Sequence, residues 1–234
     1  GELVDGYNEL LALDGYKDTA EQAAAIYEDY KAQLLQTAEI GETVLFGSYQ
    51  LEALLNAEDK DLEWIALYKK DGKVLLLSVQ GLHGSKFHDT ETETTWETSW
   101  VRTWLNNEFY NDAFDAADQA QIVTTTVSAD ANPKYDTNQG GDTLDQVFLL
   151  SINEVNTYFT DPAAAKCEPT TYAISTGTYI NYDIGYCDWW LRTMGSDTQS
   201  VSSVNTGGII NYQGSKVDFG KFSLRPAIWV DPAN

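Results

Sequence analysis

The chain has 234 residues, 36 acidic and 14 basic, and a formal net charge of −22. Apolar residues make up 43% and aromatics 12%, which builds a sizeable core and excludes a disordered chain. So acidic a surface argues against nucleic acid or an anionic membrane as partner, and no apolar run approaches the roughly 18 residues that span a bilayer.

The chain opens Gly1-Glu2-Leu3-Val4. The Gly reads as a tag-cleavage remnant, so an export signal is expected to have been trimmed ahead of it. Residues 1–40 read as a helical hairpin. Leu3, Val4, Tyr7, Leu10 and Leu11 share one helical face, and Gly15 stops that helix. Asp18 opens the next, with Glu21 at capping-box spacing, and Ala23, Ile26, Tyr27, Tyr30, Leu34 and Ala38 continue its apolar stripe. One hairpin cannot bury its own apolar face, so it must pack on the domain C-terminal to it or on repeats upstream.

From Gly41 the period changes. Residues 44–46 read as a short strand. Residues 62–68 and 73–78 read as a β-hairpin turning at Asp71-Gly72. Residues 83–98 read as loop, 99–110 as a helix that turns Trp100, Trp104 and Phe109 to the core, and 112–120 as a shorter helical piece. A Gly/Asn/Asp loop covers 128–145, and a buried strand covers 147–150. Ser151 and Glu154 form a second capping box, opening a helix to Phe159. Strands are expected at 189–192, 200–205, 209–212 and 223–230, with Gly207-Gly208 and Gly214 as turns. The pattern is α+β, an antiparallel sheet with two helices and long loops.

The three arginines each neighbour tryptophan: Trp100-Val101-Arg102-Thr103-Trp104, Trp189-Trp190-Leu191-Arg192 and Arg225-Pro226-Ala227-Ile228-Trp229. A guanidinium is favoured over an ammonium where a flat cation stacks on a ring and clamps a carboxylate or carbonyl. Arg102, Arg192 and Arg225, with Trp104, are therefore expected to be structural. They should be partly buried, stacked on tryptophan, and paired with acids such as Glu63, Glu97, Asp145 and Glu154. The alternative is that one of them lines a pocket for an acidic or sugar ligand. Cys167 and Cys187 are the only cysteines. Their spacing fits a loop-closing disulfide contributing about 3 kcal/mol, with two buried free thiols as the other reading.

These residues carry a resemblance. Trp96-x-x-Ser99-x-x-Arg102-x-Trp104-Leu105-Asn106, Phe148-Leu149-Leu150-Ser151-x-x-Glu154-Val155, Cys167-x-x-Thr170-x-Tyr172-Ala173, Trp189-Trp190-Leu191-Arg192 and Arg225-Pro226-Ala227 resemble the successive signatures of an uncharacterised family. That family is a domain of unknown function in secreted and surface proteins of Gram-positive bacteria, and the likeness covers about residues 41–232. Gly15-Tyr16-Lys17-Asp18-Thr19 is similar to a turn of helical repeats that precede such domains. More remotely, the C-terminal third is similar to C-type-lectin-like and sulfatase-modifying-factor folds. The resemblance implies a C-type-lectin-like domain over 41–234, preceded by a repeat-like hairpin over 1–40. It does not carry those folds' activities. Glu168-Pro169 is followed by Thr170 where a calcium-binding lectin has a ligand, and the reactive cysteine context of the sulfatase-modifying enzymes is not reproduced.

No catalytic motif stands out, and no cofactor or metal is implied. Asp136-x-Asn138-x-Gly140-Gly141-Asp142 places oxygens as a calcium loop does, but Val147 falls where an EF-hand needs Glu, and the composition is that of an ordinary turn. His83, His88 and Asp89 have no zinc-motif spacing. With 36 acids, a carboxylate pair at glycosidase spacing carries no information. The best binding surface is the stretch between the cysteines, where Tyr179, Asn181, Tyr182, Asp183 and Tyr186, with Trp190 just beyond, combine flat apolar rings and polar groups. The function expected is a non-catalytic, secreted or cell-surface module that binds a glycan or protein partner. A spacer without a ligand of its own and a carbohydrate-active hydrolase are the alternatives.

Overall fold

The alternating and continuous apolar runs on either side of Asp71-Gly72 do form a hairpin, and the first sheet is built on it. In the computed structural model, which describes residues 2–13, 18–54 and 56–233, Asp71 and Gly72 take φ of 52° and 79°, the left-handed pair a tight hairpin turn requires.

In chain order, helices α1 (Glu2–Ala12), α2 (Thr19–Ala25) and α3 (Tyr27–Thr37) precede strands β1 (Thr43–Tyr49), β2 (Lys60–Lys70), β3 (Lys73–Ser78) and β4 (His83–Ser85). Next come α4 (Trp100–Trp104) and α5 (Tyr110–Ala113), joined by a π-helical segment (Leu105–Phe109), then α6 (Ala116–Gln121). Strands β5 (Thr125–Val127), β6 (Thr143–Asp145) and β7 (Val147–Phe148) lead to α7 (Ile152–Tyr158) and α8 (Thr171–Ser175). The last third holds β8 (Ile180–Asn181), β9 (Tyr186–Cys187), β10 (Trp189–Met194), β11 (Ser200–Val204), β12 (Ile210–Lys216), β13 (Phe222–Leu224) and β14 (Ala227–Val230).

The architecture is α+β, but the expected single sheet is two five-stranded sheets, ordered β1-β2-β3-β14-β7 and β12-β11-β10-β13-β4. Their strands pair antiparallel except for one parallel contact, Trp189 with Ser223. The stretch 223–230, expected as one strand, is two strands in different sheets, with Arg225-Pro226 as the crossing. Residues 83–98 are not all loop either: β4 pairs with β13, and Trp96–Thr98 makes a 3-10 turn. Hence 73–85 and 222–230 run side by side through both sheets, β3 against β14 and β4 against β13.

At the crossing, the Ser78 N–H donates to the Pro226 carbonyl (2.9 Å) and the Leu82 N–H to the Leu224 carbonyl (2.9 Å). Pro226 has no N–H to return. Arg225 supplies donors instead, from Nε to the Ser78 carbonyl (2.9 Å) and from a terminal nitrogen to the Ala165 carbonyl (3.4 Å). Its guanidinium lies 5.1 Å from the Trp189 ring and is 4% exposed. Arg192 is equally buried, pairs with Glu154 and Asp130, and donates to the Leu149 carbonyl (2.8 Å). It lies over Phe148 rather than tryptophan. Arg102 is half-buried and bonds Asp145 through Nε (2.7 Å). Asp145 and Glu154 thus take the expected roles, whereas Glu97 offers Arg102 its backbone carbonyl and Arg225 takes carbonyls instead of Glu63.

The N-terminal helices pack on the sheets: Leu35 and Ala38 belong to the common core, and Tyr27 Oη donates to Asp61 of β2 (2.5 Å). The helix expected from Asp18 breaks at Ile26, and Asp18 makes no side-chain cap, so that capping box does not form. The Gly15 stop lies outside the described residues. The Ser151–Glu154 box does form, with both reciprocal bonds. Gly214 is inside β12 rather than at a turn. Its φ of +86°, and the 2.8 Å that would separate an added Cβ from the Val201 carbonyl, explain the glycine.

Asp145 is fully buried and accepts from Arg102 Nε, Trp96 Nε1 (2.9 Å) and Thr143 Oγ1 (2.6 Å). Asp145→Ala leaves one charged and two neutral donors without an acceptor. Urea unfolding should show a loss of roughly 3–5 kcal/mol; a loss below about 1 kcal/mol would contradict the role assigned to this carboxylate.

Candidate functional site

Polar turn residues at 181–185 fold the segment between the cysteines into a short hairpin, β8 and β9. Asn181 Oδ1 accepts from the Asp183 N–H (3.1 Å), and the Asn181 carbonyl accepts from Gly185 (2.8 Å), whose φ is +79°. The base is tied down by the Tyr179 N–H to the Lys221 carbonyl (2.9 Å) and by Cys187 to the Cys167 carbonyl (2.9 Å). A rigid base therefore carries an exposed tip. Tyr179 is 65% exposed and Tyr182 81%, with Ile184 and Asp183 also in solvent. Asn181 is half-buried and spends its side-chain oxygen on the turn. Tyr186, also half-buried, faces inward along the hairpin, with Lys166 Nζ 5.1 Å above its ring.

Trp190 is removed from this surface. It is fully buried, donates from Nε1 to the Ser85 carbonyl (2.9 Å) and packs 4.5 Å from Phe222, so it has no ring face to offer a ligand. The disulfide is likewise corrected: Cys167 and Cys187 face each other across an isolated antiparallel bridge as buried free thiols. Burial opposes ionisation of Cys167, but the hydrogen bond with Cys187 and the Arg225 charge outweigh it and bring Cys167 below the ordinary thiol value. The same hydrogen bond, then burial, holds Cys187 well above it.

A second aromatic surface runs along α4. Trp100 and Trp104 lie one turn apart, stacked at 6.0 Å and 20°, and both pack against the core as expected while remaining only half-buried. Phe109 alone of the three is fully buried. His83 continues the row, 4.7 Å from Trp104 and 5.7 Å from Tyr172. Sequence reasoning missed this row because i,i+4 tryptophans look the same whether they face core or solvent. His83 Nδ1 is buried without a hydrogen-bond partner, and burial lowers the pKa to about 4.

Asn138 and Asp142, in the loop with calcium-like spacing, accept backbone N–H groups of Gly140 (3.0 Å) and Ala129 (2.8 Å). His88 Nδ1 accepts from the Trp100 N–H (3.3 Å). Among the described residues no group of three or more His, Cys, Asp or Glu is placed to hold a metal, and no helix is long and apolar enough to cross a membrane.

Residues 71–232 match the family described as a domain of unknown function, DUF6273, and the chain belongs to that family. The match starts inside the β2–β3 turn, so β1 and β2 complete the first sheet from outside it. No curated protein and no solved structure matches the chain.

This geometry predicts two outcomes. His83 takes up its proton in the unfolded chain near pH 6.5 but in the folded chain only near 4. Its stabilising share is therefore present at neutral pH and is lost as pH falls from about 6.5 to about 4, a loss of up to roughly 3 kcal/mol. Replacing His83 with Phe should flatten the pH dependence of unfolding in that window; an unchanged slope would contradict the reading. Both thiols should resist an aromatic disulfide reagent in the native protein and react together in urea. An unfolding midpoint that drops on adding reductant would show a disulfide instead.

Proposed function

We propose that this protein is a non-catalytic binding module that engages a glycan or protein partner through the tip of the 178–187 hairpin. One observation carries the reading: Tyr179 and Tyr182 are 65% and 81% exposed on a segment whose base is tied to the body by backbone hydrogen bonds. Large aromatics left in water on a rigid support are costly to the fold and useful for recognition, because they lose little conformational entropy on binding. Ile184 extends the apolar tip, and Asp183 adds a hydrogen-bond acceptor beside the rings. The stacked Trp100–Trp104 pair offers a second flat face of the kind sugar rings pack on.

The lectin-like character of the domain belongs to the same proposal. Two mostly antiparallel sheets joined by chain segments that cross from one to the other, with Tyr179 and Tyr182 outside the strands of the 178–187 hairpin, support it. So does the location proposed for the protein, secreted or at the cell surface, where an acidic, aromatic-rich module meets glycans and other surface proteins.

Tyr179→Ala and Tyr182→Ala should leave unfolding free energy within about 0.5 kcal/mol of the parent, since both rings are in solvent. The double variant should lose binding to the ligands captured by the parent on a glycan array or by surface-protein panning. Parent-like binding by the double variant removes the hairpin tip from the function, and a parent with no reproducible ligand on either screen favours a spacer.

A further inference from the structure

Resting on that reading, we propose that the inner face of the same hairpin forms a subsite for a carboxylate-bearing sugar, with Arg225 and Lys166 receiving the carboxylate and Tyr186 its ring. A cavity of about 480 Å³ opens between the hairpin base, the 163–168 segment and β2, and its lining includes Arg225, Lys166, Glu63, Glu168, Gln80 and Tyr186. That volume lies in the range of small-ligand sites and holds one or two pyranose rings.

The charges in this cavity are unusual. Two cations and two carboxylates line it, and among the described residues none of the four enters an ion pair. The other two arginines both bond carboxylates. Arg225 is 4% exposed and bonds only carbonyls, so a desolvated cation stands at the cavity wall with the Cys167 and Cys187 thiols beside it but no carboxylate partner. Desolvation lowers the Arg225 pKa, against which the neighbouring Cys167 and Cys187 thiols act in the opposite direction. A ligand carboxylate would supply that partner, and charge-assisted hydrogen bonds are the stronger kind.

Lys166 Nζ sits over the Tyr186 ring, and Lys166 and Arg225 both line the cavity. Glu63, Glu168 and Gln80 then accept or donate to hydroxyl and acylamino groups. An aromatic face, amide and carboxylate acceptors and two cations on one wall together suit a sugar that carries a carboxylate.

The test is a nuclear magnetic resonance titration of the isotope-labelled chain with glucuronic acid and with N-acetylneuraminic acid, against glucose and N-acetylglucosamine. The two acids distinguish a uronic acid of polysaccharides from a sialic acid of glycoproteins. At least one should shift the Arg225 Nε–H and Tyr186 resonances and bind about tenfold more tightly than either neutral sugar. Arg225 holds the sheets together, so the variants are Lys166→Ala, which should weaken the acid about tenfold and leave the neutral sugars alone, and Tyr186→Ala, which should weaken all. Equal affinity for acid and neutral sugars, shifts confined to Tyr179 and Tyr182, or an unaffected Lys166→Ala variant would each overturn the subsite while leaving the hairpin tip in place. If neither acid binds but the tip captures a partner, only the subsite fails; if the tip captures nothing, the wider reading fails.

Discussion

Two strands change sheets side by side, and one guanidinium closes the seam between them. Pro226 makes the change of direction possible and removes a backbone donor at the same place. Arg225 restores donors to the carbonyls of Ser78 and Ala165 and fills the space against Trp189. Buried backbone acceptors without partners are costly, so the seam needs a long side chain with several donors that stay charged. Lysine has the charge but not the planar fork.

Other contacts depend on that seam. The 163–168 segment is held by Arg225 through the Ala165 carbonyl, which Trp189 Nε1 also uses (3.0 Å). Cys167 then pairs with Cys187, and Cys187 closes the base of the exposed hairpin. The candidate surfaces thus sit on short, irregular segments anchored to a rigid crossing. Arg192 performs a related task elsewhere, tying β10 to the Leu149 carbonyl while its partner Glu154 caps α7.

Much of this was legible in the sequence. The Asp71-Gly72 hairpin, the Ser151–Glu154 cap and the buried 147–150 segment each rest on local chemistry, and each is present. The rarity of arginine pointed to buried guanidinium groups, and two of the three are 4% exposed. What failed depended on tertiary pairing. A proline inside an apolar run did not announce that the chain would enter a second sheet. β4, three residues long with one glycine, has almost no strand signal of its own and exists because β13 lies beside it. Trp190, next to Trp189, was expected on the binding surface. Both are buried, because β10 lies central in its sheet and is covered on both sides. The cavity beside Arg225 could not be read from sequence at all, since its charged residues come from segments as distant as Glu63 and Arg225.

If the crossing at Arg225 joins the two sheets, it should open only when the whole molecule unfolds. Native-state hydrogen exchange at the Ser78 and Leu82 amides, which donate across the two strands on either side of it, measures that directly. Both should exchange in the slowest class, with the free energy of global unfolding and the same denaturant dependence. Exchange through a cheaper local opening, while the amides of β2 and β11 stay protected, would show that the sheets hold together by other means.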